Sequence, residues 1–342
     1  MSSQISRRHF LQSTAAIAGA VAYPNLAFAK GSVSSAIYPG AWDEAYRKIV
    51  APALKKSAGV DLELQPLFAV DQIAKAKAAR GRPVFDTFVL DPGPSATGKA
   101  DDLFEKFDAS KLKNASALQA GLVDAYGVPI AAQFVGIAYN PKKFSKPPTK
   151  WADLFQEPYL SRLGLTGFQT TFGTVAIIEF SKAFGGSITN VDPFFAELKK
   201  VLKKVAVIGA PAAMPGLFQQ GQCDVMYTNT QTVGILKSRG VDIEFVAPES
   251  GIATFFTTMH IAKGSEDIAN AYKYIDTVLS AEVQTQLMKP PYFMAPVNSK
   301  VALDDSLPVK NLSEMSKMIQ HDWSKINPLR ADWITRFNKE VS

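Results

Sequence analysis

Gln133-Phe134-Val135-Gly136-Ile137-Ala138-Tyr139-Asn140-Pro141 reads as an extended apolar run stopped by a turn. It is too short for a typical helix, and Asn140-Pro141 closes it, so it suits a strand. The same alternation of short apolar strands and amphipathic helices lies on both sides of it, which is the α/β pattern. Upstream, strands are predicted over 32–38, 60–66 and 85–90, with helices over 42–57 and 70–80 between them. The first helix has Trp42, Ala45, Tyr46, Ile49 and Ala53 on one face. Pro39-Gly40 and Asp91-Pro92-Gly93-Pro94 read as turns, and a short strand near 128–130 leads into the quoted run.

Downstream a second cycle begins. A short helix is predicted over 151–155, then strands over 163–166, 205–208, 224–227 and 243–246. Helices over 170–184, 194–202, 212–220 and 232–239 separate them. A second extended apolar segment, 255–262, precedes helices over 268–279 and 281–288, and the last sixty residues read as mostly helical. A helix after each strand makes the sheets mostly parallel, and the 342 residues accommodate two of them. In open α/β sheets ligands bind beyond the carboxyl ends of the strands. The loops at 38–42, 91–97, 167–171, 228–232 and 253–258 are therefore the places to look for a site.

The composition excludes several classes. Hydrophobic residues make up 47% and charged residues 20%, which suits a packed core and not a disordered chain. The 37 basic residues exceed the 31 acidic ones by a margin spread along the chain. No basic cluster interleaved with aromatics suggests nucleic acid. Cys223 is the single cysteine and sits in an apolar stretch, where a buried small hydrophobe is the simplest reading. His9, His260 and His321 are far apart in sequence, so neither a disulfide nor a metal site is expected. No cofactor motif is present.

The N-terminus reads as an address. Ser6-Arg7-Arg8-His9-Phe10-Leu11-Gln12 is followed by an Ala-rich apolar run over 13–22 and by Ala27-Phe28-Ala29. Charged, apolar and small residues in that order form an export signal, and paired arginines before Phe-Leu match the twin-arginine pattern. Cleavage is expected after Ala29. Removal of residues 1–29, with their two arginines and no acid, takes the formal charge from +6 to +4. No later stretch is apolar and long enough to span a membrane. These features place the expected mature chain, a monomer, in the periplasm after passage through the twin-arginine machinery.

The export signal, Tyr38-Pro39-Gly40-Ala41-Trp42, the 133–141 crossover, Asp224-Val225-Met226-Tyr227-Thr228-Asn229 with the stretch to Met259, and Met294-Ala295-Pro296-Val297-Asn298 together carry a resemblance. They resemble the solute-binding proteins of ABC importers, in the group that takes polyamines, iron(III), thiamine and phosphonates. The resemblance covers nearly all of the mature chain. It implies the periplasmic binding-protein fold: two lobes, each a mostly parallel sheet flanked by helices, joined by crossing hinge strands and closing on a small-molecule ligand. It also implies a permease partner in the inner membrane. Lobe one would be 30–135 plus 256–298, and lobe two 138–250 plus 299–342, with crossovers at 133–139 and 248–257.

The residues argue about which ligand. Polyamine binders of this kind place an acid two residues beyond an aromatic on the second crossover. Here that stretch reads Phe255-Phe256-Thr257, without the acid. The iron(III) binders use adjacent tyrosines, whereas Tyr227 is followed by Thr228. What remains suits a carboxylate, a phosphonate or a zwitterion. Gln169, Thr170 and Thr171 open a helix whose free N–H groups could bind oxygens. Thr228 and Asn229 form a second polar loop, and Thr257 belongs to a third. For any one threonine group ordinary capping or turn chemistry is the simpler reading, and three such groups at strand ends shift the balance toward a ligand. Tyr38 and Trp42 flank the first cleft loop, Gln133 lies on the crossover, Asp91 is the acid expected near the cleft, and Phe255 is one of two alternating aromatics. A polyamine ligand, an exported enzyme and a sensor domain stay open as alternatives. The enzyme lacks a GxGxxG after the first strand, a Cys/His cluster and a nucleophile elbow.

Overall fold

Two long antiparallel strands form the axis of the computed structural model, which describes residues 31–79, 81–118 and 121–342. The export signal and the cleavage site after Ala29 lie outside the described residues. The first cycle runs β1 (Ser32–Ile37), α1 (Ala41–Ala45), α2 (Ala51–Ala58), β2 (Asp61–Pro66), α3 (Ala69–Ala78), β3 (Thr87–Leu90) and α4 (Pro92–Ala100). β4 (Gly127–Tyr139) leaves it. The second cycle comprises β5 (Leu163–Leu165), α5 (Thr171–Ala183), α6 (Asp192–Val201), β6 (Val207–Ile208), α7 (Met214–Gln219), β7 (Val225–Asn229), α8 (Thr230–Ser238) and β8 (Glu244–Val246). β9 (Ala253–Ile261) returns, followed by α9 (Ile268–Val278), α10 (Ala281–Met288) and α11 (Trp323–Val341).

The strand order is β2-β1-β3-β9-β4-β7-β5-β6, with β8 also paired to β4. β1 pairs in parallel with β2 and β3, and β5 pairs in parallel with β6 and β7. Among the described residues the two parallel half-sheets are joined through β4 and β9. The first part of β4 pairs with β9, from Gly127 opposite His260 to Val135 opposite Ala253. Its last part pairs with β7, from Val135 opposite Asn229 to Tyr139 opposite Val225. Side chains alternate along a strand, and here the alternation falls at the crossing point. Phe134 packs into the first core with Val33, Ile37, Leu54 and Ile275, while Val135 packs into the second with Leu165, Ile177 and Phe180.

Several elements differ from the sequence reading. The helix expected over 42–57 is interrupted by a π turn at Tyr46–Val50. Pro52, the second residue of α2, has no N–H to return to the preceding turn, and a wider turn accommodates that loss. Asp91-Pro92-Gly93-Pro94 is not a turn: Pro92 opens α4, where its missing N–H would have been unpaired anyway. β4 is one strand and not two, because Pro129 sits at a register shift where no ladder bond is needed. The last sixty residues are helical over only about half their length. After α10 the chain runs from 289 to 311 without a helix or strand, and the 3-10 turn Leu312–Lys317 precedes α11. Side chains support this irregular segment: Gln284 Oε1 accepts from the N–H groups of Val297 (2.8 Å) and Asn298 (3.1 Å). Val301, Val309 and Met315 pack into the first core, whereas Ile326, Trp333 and Phe337 pack into the second.

Candidate ligand site

β1 and β3 are parallel neighbours, with Ser35 opposite Thr87, so their carboxyl ends emerge side by side. That brings together Tyr38, just after β1, and Asp91, just after β3. β9 runs antiparallel beside β3, with Thr258 opposite Leu90, and so carries Thr257 to the same place. The Thr257 side chain is fully buried, and its hydroxyl donates to Asp91 Oδ1 at 3.0 Å. Burial raises the Asp91 carboxyl above the usual carboxylate range; the neighbouring hydroxyls of Thr257, Tyr38 and Thr171 and the Arg330 guanidinium work against it. The Tyr38 phenol is also pushed up, by burial first and by the charge of Asp91 second. Its hydroxyl is buried beside that carboxylate without a hydrogen bond of regular geometry.

The second half of the molecule contributes Arg330, which the sequence reading missed. Nε of Arg330 donates to the Phe168 carbonyl (3.1 Å) and to Thr174 Oγ1 (3.0 Å). Nη2 donates to the carbonyls of Phe168 (2.9 Å) and Gln169 (2.8 Å). These bonds tie α11 to the loop that opens α5. Nη1 points at the start of α4, where a Cβ added to Gly93 would lie 3.0 Å from it. Glycine at 93 therefore permits close approach of the guanidinium. Burial lowers the Arg330 pKa, and the charges of Asp91 and Tyr38 oppose that shift. A sequence signal for Arg330 did exist. Ile326, Arg330, Trp333 and Phe337 share the buried stripe of α11, so a cation stands where the helical period asks for an apolar residue.

The structure thus brings Tyr38, Asp91, Thr171 and Thr257 together and adds Arg330. The other expected residues are placed differently. Trp42 is buried, packed edge-on to Tyr38 at 5.6 Å and stacked on Tyr46 at 6.0 Å. Its Nε1 donates to Gln231 Oε1 (3.2 Å), and Gln231 Nε2 donates to the Tyr292 carbonyl (2.9 Å). Asn229 caps α8 by accepting from the Thr232 N–H (2.9 Å), and its amide donates to Gln133 Oε1 (3.0 Å). Thr170 caps α5 by accepting from the Gly173 N–H (3.1 Å). Gln169 is exposed and donates to Asn338 Oδ1 (3.1 Å). Thr228 is buried within β7, opposite Gly136. Phe255 packs into the second core, 5% exposed.

Among the described residues, no group of three or more His, Cys, Asp or Glu is arranged to hold a metal ion. Tyr227 is spent inside the second core, where its hydroxyl accepts from the Thr166 N–H at 2.9 Å. Burial pushes the Cys223 thiol up to about 12, which keeps it unreactive. Among the described residues no helix is long and apolar enough to cross a membrane.

Similar folds occur among solved structures. An ABC transporter substrate-binding protein from Bradyrhizobium japonicum USDA 110 superposes with a TM-score of 0.76 at 18% identity, over 91% of this chain and 100% of that one. A GABA receptor gives 0.76 at 18% identity, over 91% of this chain and 98% of that one. The periplasmic binding protein AfuA from Actinobacillus pleuropneumoniae gives 0.73 at 17% identity, over 92% and 99%. At these identities the likeness establishes the two-lobed periplasmic binding-protein fold. The pattern of one family, the bacterial extracellular solute-binding proteins, matches residues 48–316. That match spans most of the sequence, both halves of the sheet and the crossing strands, and it makes this chain a member of the bacterial extracellular solute-binding proteins, which bind their solutes and do not convert them.

Proposed function

We propose that the chain is the substrate-binding component of an ABC importer, capturing a small polar organic solute between its lobes in the periplasm and delivering it to an inner-membrane permease. One observation carries the reading. Tyr38, Asp91 and Thr257 from one side meet Thr171 and Arg330 from the other, at the carboxyl ends of the central strands. A polar cluster contributed from both sides of a hinge is one that a ligand can close. The solute carries a carboxylate, a phosphonate or both signs of charge. Asp91 alone would suit an ammonium, but Arg330 beside it repels a polyamine.

The lobes divide near 135–138 on β4 and near 250–256 before and within β9. In our assignment lobe one also takes the segment up to Met315, whose side chains lie in the first core, and lobe two takes α11. Export through the twin-arginine route, with cleavage after Ala29, and a monomeric state complete the reading. Calorimetric titration of the chain from Lys30 onward, against amino acids, small carboxylates, phosphonates, polyamines and thiamine, tests it. One ligand should bind per chain, without turnover, and should quench or shift the fluorescence of Trp42. Saturable binding that Asp91→Asn, Arg330→Gln and Tyr38→Phe all leave unchanged would move the site elsewhere.

A further inference from the structure

We propose that the solute is a small zwitterion of amino-acid type, its carboxylate held by Arg330 and its ammonium by Asp91. The inference rests on the interlobe site described above and names what fills it. Three polar groups with unused bonding capacity converge there. The Tyr38 hydroxyl is buried beside Asp91 and, among the described residues, makes no hydrogen bond of regular geometry. Asp91 receives the Thr257 hydroxyl at Oδ1 and has the Tyr38 and Thr171 hydroxyls beside it, but among the described residues no cation is paired directly with it. Arg330 has committed Nε and Nη2 to the carbonyls of Phe168 and Gln169 and to Thr174, which leaves the two N–H groups of Nη1.

The charges decide the class of ligand. Asp91 and Arg330 feel one another, yet among the described residues they form no direct ion pair. Two opposite charges taken out of water and left apart are costly unless something pairs with each. A neutral sugar would leave both unpaired. A dicarboxylate would place an anion against Asp91, and a diamine would place a cation against Arg330. A zwitterion satisfies both ends and adds no net charge to the closed site. Its ammonium would also stand beside the Tyr38 and Trp42 rings, which meet edge to face. The molecule must be small, because Nη1 lies against Gly93, two residues along the chain from Asp91. The buried Thr171 hydroxyl stands beside Asp91 and helps to hold its carboxylate.

The test is calorimetric titration of the mature chain with alanine, γ-aminobutyrate and 2-aminoethylphosphonate. Each is compared with analogues lacking one charge, such as butyrate and butylamine, and with putrescine, succinate and glucose. At least one zwitterion should bind roughly tenfold to a hundredfold tighter than either single-charge analogue, the range a charged hydrogen bond supplies. In Asp91→Asn the zwitterion should lose that advantage over the carboxylate analogue, while butyrate binding is retained. Arg330→Gln should do the reverse. Because Arg330 also holds two backbone carbonyls, Asp91→Asn is the deciding variant, with circular dichroism confirming the fold of both. If putrescine, succinate or glucose binds tightly and no zwitterion does, the zwitterion assignment is overturned while the interlobe site stands. If nothing binds, or binding ignores both substitutions, the site and the assignment fall together.

Discussion

His260 provides a measurable link between packing and pH. The imidazole is completely buried at the end of β9, stacked on Phe104 with 4.1 Å between ring centroids and 10° between planes. Nδ1 lies 2.9 Å from the Tyr126 carbonyl, which can only accept, so Nδ1 carries the proton. Nε2 then accepts from the Ser95 hydroxyl, also at 2.9 Å. The neutral ring is fully satisfied. A second proton on Nε2 would be a buried charge. Burial, aided by the charge of Lys99 and opposed by the Tyr126 carbonyl and Asp124, lowers its pKa from 6.5 to about 4. Between those values the unfolded chain binds the extra proton and the folded chain does not. Stability from this group is therefore complete above about pH 6.5 and declines as pH falls toward 4. Integrated from about pH 7.5 to about pH 4.5, the loss is about 2.5 kcal/mol.

Urea unfolding of wild type and His260→Gln at several pH values isolates this contribution, because every other titrating group is common to both. At neutral pH the variant should be less stable by about 1–3 kcal/mol, through lost packing and imperfect hydrogen bonds to Tyr126 and Ser95. On acidification the wild type should lose its advantage by roughly 2–3 kcal/mol while the variant follows a flatter profile. Parallel pH profiles for the two proteins would refute the reasoning, as would an NMR titration placing the His260 pKa near 6.5.

Gln231→Ala removes the two side-chain bonds by which α8 holds Trp42 and the Tyr292 carbonyl of the first core. Small-angle scattering of the ligand-free variant should show a larger radius of gyration, and an unchanged one would mean that these bonds do not hold the lobes together. Asn229→Ala should destabilise by about 1 kcal/mol through loss of the α8 cap, and more if the bond to Gln133 contributes, as read from the urea midpoint. Arg162→Met strips the buried Asp224 carboxylate of its cation, leaving the Asn140 amide at 3.4 Å, and should cost about 3 kcal/mol in the same assay.

The sequence by itself determined the alternation of strands and helices and the extended run over 133–139 that ends β4. Each depends on periodicity and turn chemistry within about ten residues, which is the range over which local sterics and burial act. It also singled out Tyr38, Asp91, Thr171 and Thr257, which the fold gathers near the carboxyl ends of β1 and β3, because parallel strands deliver their carboxyl ends to one edge. Tertiary structure alone decided the rest. Asp91-Pro92-Gly93-Pro94 is as good a turn as a helix start, and only the packing of α4 beneath α11 selects the helix. Thr170 and Asn229 could have met a ligand or capped a helix; the observed backbone directs both side chains to the cap. Arg330 meets partners more than 150 residues away in sequence, at Phe168 and Thr174, and its role rests on which helix face is buried against which loop. Long-range contacts of this kind arise from the summed packing of many residues, and a local pattern can mark such a residue as unusual without naming its partner.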